Sequence, residues 1–406
     1  MTRFITLAVA MLAALTPGAA RAQDRVYVRP EPGTPVVAAE ILIAVGPADE
    51  PEEHAGITYL TARSVTAPVR GVLDSLGAHL EVDQQKDAVS FTVIASPDNW
   101  EEAARTLLVA IFRDPVDSLA TVRQRAATVA ELTAREASPS DALAREVDAA
   151  LFGADHAWGR PAVGTAESVG RLTVDQVDLF LRRYFTSERA VIAIVGPVEP
   201  DAGEALAGYM EPGPLSRPRV GGAEPADEPV HREYDAITAW VAAVYPVGVD
   251  ADEEALRMLA ELALERVSFG PARRQVYDAR ATVVRHAAGG ELRLEMVVPP
   301  REAEQWGQRL HDAVAAYAGE ELGAPLFADR LRRHRGARLL ALESPEARAR
   351  ALARQTLLGA RAPRLPDPDT LTPARLRGAA RALGDPVLVF LGPFEEDEGD
   401  GEEEGS

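Results

Sequence analysis

The chain has 406 residues, 43 Lys+Arg against 63 Asp+Glu, a formal net charge of −20 and no cysteine. That length suits two domains of about 150–200 residues each, and a composition 47% hydrophobic and 26% charged is globular. The missing cysteines exclude disulfide scaffolds, thiolate nucleophiles and Cys-ligated zinc or iron–sulfur centres; so acidic a chain is also not expected to bind nucleic acid, whose phosphates need clustered cations.

Residues 1–22 read as a signal peptide. Arg3 gives the positive start, Phe4 to Leu15 an apolar run broken by Pro17-Gly18, and Ala20-Arg21-Ala22 an A-x-A cleavage site. The expectation is export to the periplasm or beyond, with no membrane span left after cleavage. A retained anchor is the alternative, although the run is short for a span. At the other end, residues 394–406 read FEEDEGDGEEEGS, with eight acids in thirteen residues, and are expected to be a disordered acidic tail.

Between the ends the chain repeats itself. Val89, Phe91 and Val93 alternate with polar residues as in a strand. Pro97-Asp98 opens a helix over about 100–113, with Leu107, Leu108 and Ile111 on one face. After a long helical region, Thr173 and Gln176 have capping-box spacing ahead of Val177, Phe180, Leu181 and Tyr184. The apolar strand Val191 to Val195 and Gly196-Pro197 close the unit. The second half runs in the same order. Leu292, Leu294 and Met296 alternate, and Pro299-Pro300 precedes a helix bearing Trp306, Leu310, Val314 and Tyr317. Thr372-Pro373 then starts a further helix, and the strand Val387 to Leu391 leads to Gly392-Pro393. Two copies of one α+β unit follow, placed at 23–210 and 230–393. The Pro-, Gly- and charge-rich stretch 211–229 is the linker.

These segments together resemble the insulinase/pitrilysin family of zinc metallopeptidases, which includes the mitochondrial processing peptidase. The likeness is carried by LFGADHAWGRPAVGTAES at 151–168, by the Leu-Thr, helix, Tyr-Phe, strand, Gly run over 171–197, and by 56–80 and 88–115. The implied fold class is α+β, with two tandem homologous insulinase-like domains, each a mostly antiparallel or mixed sheet packed against helices. Active members carry H-x-x-E-H on the opening helix. Histidines at i and i+4 share one helical face and one zinc, and the glutamate is the base. In this chain those places fall on Tyr59, Ala62 and Arg63, and the family's later zinc-ligating glutamate falls on Glu131, with Glu136 close by. Tyrosine is a poor zinc ligand, alanine cannot take a proton, and arginine repels a cation. The family's substrate-gripping arginine falls on Arg274, a solvated cation being the other reading; Ala281 stands where its tyrosine partner would be, unless Tyr277 substitutes.

The seven histidines, at positions 54, 79, 156, 231, 286, 311 and 334, show no zinc spacing and are expected to be scattered over the surface. The bland reading of Trp158 is that it covers adjacent core. The resemblance therefore implies an exported, non-catalytic subunit with no cofactor of its own. Its partners would be a zinc-bearing peptidase subunit of the same family and a peptide or unfolded-protein substrate. An active zinc metalloendopeptidase with other ligands, and a peptide-binding or scaffold protein unrelated to proteolysis, are the alternatives. Arg63 and Glu131 are expected either to pair in place of the metal or to be separate solvated helix residues.

Overall fold

The computed structural model describes residues 25–268, 275–319 and 322–393. The signal-type stretch, the acidic tail and Arg274 lie outside the described residues. The first half begins with β1 (Val26–Pro30), β2 (Val37–Ile43), α1 (Ile57–Thr66), α2 (Arg70–Ser75) and the hairpin of β3 (His79–Gln84) and β4 (Val89–Ala95). Helices α3 (Trp100–Phe112), α4 (Ser118–Glu136), α5 (Pro139–Phe152), α6 (Ala166–Arg171) and α7 (Val174–Tyr184) follow, then β5 (Ala190–Gly196) and the short α8 (Glu204–Ala207). Residues 211–229 carry neither helix nor strand. The second half opens with β6 (Val230–Glu233), β7 (Ala239–Val247), α9 (Glu253–Ser268) and the hairpin of β8 (Asp278–His286) and β9 (Gly289–Val298). It closes with α10 (Ala303–Gly319), α11 (Ala324–Ala341), α12 (Pro345–Leu357), α13 (Pro373–Ala382) and β10 (Val387–Gly392).

The local signals work as their chemistry requires. Thr173 accepts from the Gln176 N–H, and the Gln176 side chain accepts from the Thr173 N–H at 2.8 Å, closing the capping box of α7. Thr372 caps α13, with Pro373 in its first turn where no N–H is needed. The two sheets share one plan. Their strand orders are β1-β5-β2-β4-β3 and β6-β10-β7-β9-β8. In each, the first pair is parallel and the rest antiparallel.

One face of each sheet is covered by helices of its own half, around Phe91, Leu107 and Ile192 in the first and Trp306, Leu310 and Phe390 in the second. The opposite face is covered by a helix from the other half. Ala349, Leu352, Ala353 and Leu357 of α12 pack on Ala38, Leu42, Val191 and Val195 of β2 and β5. Reciprocally, Leu143, Val147 and Leu151 of α5 pack on Ala242, Val244, Val389 and Leu391 of β7 and β10. Strands buried on both faces read as unbroken apolar runs, and β2 (VAAEILI) is buried throughout. Its one polar residue, Glu40, accepts from the Ser90 and Thr92 hydroxyls; burial pushes its carboxyl up to about 7 against those hydrogen bonds.

The tips of the two hairpins meet. Asp87, in the β3–β4 turn, accepts from the Ala287 N–H of the β8–β9 turn at 2.8 Å and from Arg354 of α12 at 2.6 Å. Burial works to raise the Asp87 carboxyl, but Arg354 and His286 hold it well below the usual carboxylate range. Beside it, Lys86 pairs with Asp148 of α5 at 2.7 Å and donates to the Trp158 carbonyl at 2.6 Å. Arg293 of β9 joins Asp148 at 3.1 Å and Glu291 at 2.7 Å.

Two histidines depart from the expected surface placement: His286 is 3% exposed and His334 is 0% exposed. Each is buried because acids or rings receive it. His286 lies 3.7 Å from Asp87 and 4.9 Å, ring to ring, from Trp158. His334 of α11 is held by Glu254 at 3.3 Å and Glu261 at 3.0 Å, both on α9. Trp158, 2% exposed, covers core as read, but much of that core belongs to the second half.

Replacing Asp87 by Asn leaves the Arg354 guanidinium largely buried without its counter-charge, and a loss of about 3–5 kcal/mol is expected, read as a lowered urea midpoint. An unchanged midpoint would show that the meeting of the two turns contributes nothing. Burial alone would lower the His334 pKa, yet its hydrogen bonds to Glu254 and Glu261 raise it to about 9. Because this lies above the ordinary histidine value of 6.5, the stabilisation is complete below about pH 6.5 and is lost as pH rises through about 9. His334→Gln should therefore cost more stability at pH 6 than at pH 10, and an equal cost at both would refute the charged pairing.

Candidate functional site

Helix α1 starts at a tight crossing of two loops. Gly56 takes a left-handed φ of 87°, and a Cβ there would come within 2.6 Å of the Val163 carbonyl. Gly164 (φ 74°) faces it, and a Cβ there would lie 2.6 Å from the Ala55 carbonyl. Only glycine satisfies both demands. The first turn of α1 then donates from Gly56 and Thr58 N–H to the buried Glu50 carboxylate at 2.8 and 3.0 Å. Burial raises the Glu50 carboxyl, while those backbone bonds and the charge of Arg160 oppose the rise. Ile57, Leu60 and Ala62 of α1 are buried in the first half's core, which fixes the helix against rotation.

That fixed helix presents Tyr59 and Arg63, four residues apart, to α4. The Tyr59 hydroxyl donates to Glu131 Oε1 at 3.1 Å, and Arg63 Nη1 donates to Glu131 Oε2 and to the Tyr59 oxygen. Arg63 Nε reaches Gln124 at 3.4 Å, and Arg135 pairs with Glu131 Oε1 at 3.0 Å. Burial works to raise the Glu131 carboxyl, but the bond and charge of Arg63 hold it below its ordinary value. Burial likewise disfavours the Arg63 charge, and Glu131 and Tyr59 more than restore it. The side chains of Arg63 and Glu131 are 22% and 31% exposed. Glu136, the other acid near this register, instead accepts from the Ala166 N–H at the start of α6, 2.9 Å away.

Zinc does not fit these residues. A metal there would need donors from α1, but Ala62 has none and the Arg63 guanidinium already occupies the Glu131 carboxylate. Burial also raises the Tyr59 phenol, so it stays protonated and donates rather than ligates. Among the described residues, no group of three or more histidine, aspartate or glutamate side chains is arranged to hold a metal ion. The lowered Glu131 carboxyl is a weaker base than a free glutamate. A cavity of about 440 Å3 opens beside it, bounded by Leu132, Arg135, Arg145 and the loop from Pro161 to Thr165.

Of the residues singled out in the sequence, Tyr59, Arg63 and Glu131 come together and Ala62 faces the core. Tyr277, offered as a substitute in the second half, is 63% exposed. Glu50, Gln124 and Arg135 were not anticipated. The i, i+4 spacing of Glu131 and Arg135 was a readable signal, whereas Glu50 lies six residues before Gly56, outside any capping-box spacing.

The paired sheets, each covered by a helix of the opposite half, and an opening helix whose Tyr59 and Arg63 meet Glu131 of α4 are the features on which the chain can be compared with known proteins. No protein-family model matches the chain. It is similar to an uncharacterized zinc protease of Mycobacterium leprae, 30% identical over 176 residues, 41% of this chain and 39% of the relative. The chain thus spans well under half the length of that curated relative. A solved structure of a peptidase M16 inactive domain from Pseudomonas fluorescens superposes with a TM-score of 0.76 at 15% identity, covering 91% of this chain and 96% of that one. A chain of complex III2 from Candida albicans, with Inz-5 bound, gives a TM-score of 0.75 at 15% identity over 90% and 93%. The chain has the fold of M16 peptidase-like proteins and is similar in sequence to zinc proteases of the insulinase family.

In a double-mutant cycle of Arg63→Ala and Glu131→Ala, a coupling of about 1–2 kcal/mol is expected for this partly buried pair, read from urea unfolding at pH 7. A coupling indistinguishable from zero would return both residues to ordinary solvated positions.

Proposed function

We propose that the chain is an exported, non-catalytic subunit that binds peptide or unfolded protein and partners a zinc-bearing peptidase subunit of the same family. The observation that carries this reading is the Arg63 guanidinium on the Glu131 carboxylate, with Ala62 in the place of the base. A half-shell without zinc can still supply binding surface and close a chamber around a substrate. The Pseudomonas fluorescens neighbour, described as an inactive domain, and the neighbour within complex III2 support a subunit role. Export rests on the signal-type residues 1–22. Among the described residues no helix is long and apolar enough to cross a membrane.

The test is cleavage of an unstructured protein by the purified chain alone and after mixing with a family member carrying intact H-x-x-E-H. Chelator-sensitive cleavage is expected to be absent alone and to increase when the chain joins the partner. Such cleavage by the chain alone would overturn the reading. A second measurement addresses the motif positions directly. Equilibrium dialysis should show stoichiometric zinc on the Tyr59→His, Ala62→Glu, Arg63→His triple variant, with Glu131 released to complete the shell. A folded triple variant that takes up no zinc would show that α1 is not the metal helix.

A further inference from the structure

Glu40 alternates with Ala38 and Leu42 along β2, on the sheet face that α12 of the second half covers. Its neighbours across the sheet are Ala193 of β5 and Thr92 of β4, and Glu81 of β3 lies beyond Thr92 in the same row. The carboxyl is buried and held by the Ser90 and Thr92 hydroxyls, the latter at 2.6 Å. From β3, Asp83 opposes its charge, and His79 and Glu81 stand 3.6 Å apart. From α12 come Arg350, 4.0 Å from the Glu40 carboxyl, and Arg354, which Asp87 holds at 2.6 Å. A cavity of about 450 Å3 adjoins them. Across it Arg257 is paired with Glu253 at 2.6 Å, Arg338 is paired with Glu254 at 3.0 Å, and Arg285 donates to the Val249 and Ala251 carbonyls. Among the described residues, Arg350 is thus the one cation that reaches Glu40. Its guanidinium is already committed to Glu81 and, at 3.1 Å, to the Thr92 hydroxyl.

A hydroxyl donates or accepts by rotating, so a neutral Glu40 carboxyl keeps both of its bonds with one hydroxyl reversed. An ionised carboxylate is less well served, because two hydroxyls and a cation 4.0 Å away leave a buried charge incompletely compensated. Arg350 can supply the missing donors. Glu81 can release it, since the Glu81 side chain is 45% exposed and water will solvate it. The cavity that Glu40 and Arg350 both line gives the guanidinium room to move. We propose that Glu40 and Arg350 form a pH-sensitive latch across the two halves: with Glu40 neutral, Arg350 holds Glu81 and α12 is firmly seated, and with Glu40 ionised, Arg350 leaves Glu81 and α12 is held less firmly. Burial raises the Glu40 carboxyl from its ordinary 4.5 to about 7. The junction therefore favours the neutral form, and its contribution is complete below about pH 4.5 and is lost as pH rises through about 7. The latch depends on neither the degenerate metal position nor the subunit role.

The experiment is amide hydrogen exchange of α12 in the full chain, followed by mass spectrometry across neutral pH and corrected for the intrinsic pH dependence of exchange. Between pH 6 and pH 8 the opening equilibrium of α12 should rise about tenfold more in the parent than in Glu40→Gln, whose side chain cannot ionise. His334 also weakens the fold as pH rises, but it is present in both proteins and drops out of the comparison. A second variant, Glu81→Gln, alters a half-exposed position and leaves Arg350 free for Glu40, so the loss of α12 protection should move to lower pH. The same pH dependence in the parent and Glu40→Gln, or a transition that stays in place in Glu81→Gln, would overturn the proposal.

Discussion

Each sheet leaves one face for the opposite half to cover, and the rest of the molecule depends on this exchange. An apolar sheet face left in water would cost about 25 cal/mol per Å2, so neither β2 and β5 nor β7 and β10 can do without the partner helix. Apolar packing alone is indifferent to small slides. The buried polar contacts at the hairpin tips are not, because Asp87 must meet both the Ala287 N–H and the Arg354 guanidinium at once. Removing either partner strands a buried charge, which is far more costly than the pair's net worth. Register between the halves is therefore set by electrostatics within an interface whose bulk is hydrophobic.

The same logic explains the cluster on α1. A glutamate held in place on α4 and partly withdrawn from water needs a counter-charge, and a metal or an arginine can supply one. The chain supplies Arg63, four residues after Tyr59, with Arg135 reinforcing it from α4 itself. The second half solves the corresponding helix contact with the charges exchanged. There α9 brings the acids Glu254 and Glu261, and α11 brings His334 and Arg338. Both helix pairs are thus tied by charged hydrogen bonds.

Much of the fold could be read from the sequence because its signals are local. The alternation at Val89, Phe91 and Val93, the Thr173–Gln176 cap and Pro373 after Thr372 each specify structure within a few residues, and the repeat of their order exposed the two halves. The exchange of α5 and α12 could not be read this way. An amphipathic helix shows that it has a buried face, not which sheet will cover it. His286 and His334 were misplaced on the surface for a related reason: the acids that allow their burial are distant in sequence. At the site, the i, i+4 spacing put Tyr59 and Arg63 on one face, but their meeting with Glu131 required the crossing of α1 and α4. The glycine pair that fixes that crossing, Gly56 and Gly164, is far apart in sequence, and nothing local to either shows that the two meet.

The central claim is that an ion pair stands where the fold's metal would be, and anomalous diffraction tests it most directly. Crystals grown with excess zinc would be measured on both sides of the zinc absorption edge. The expected map has no anomalous peak within coordination distance of Tyr59, Arg63 and Glu131, and shows the Arg63 guanidinium on the Glu131 carboxylate. A strong peak on Glu131, with Arg63 turned away, would contradict it.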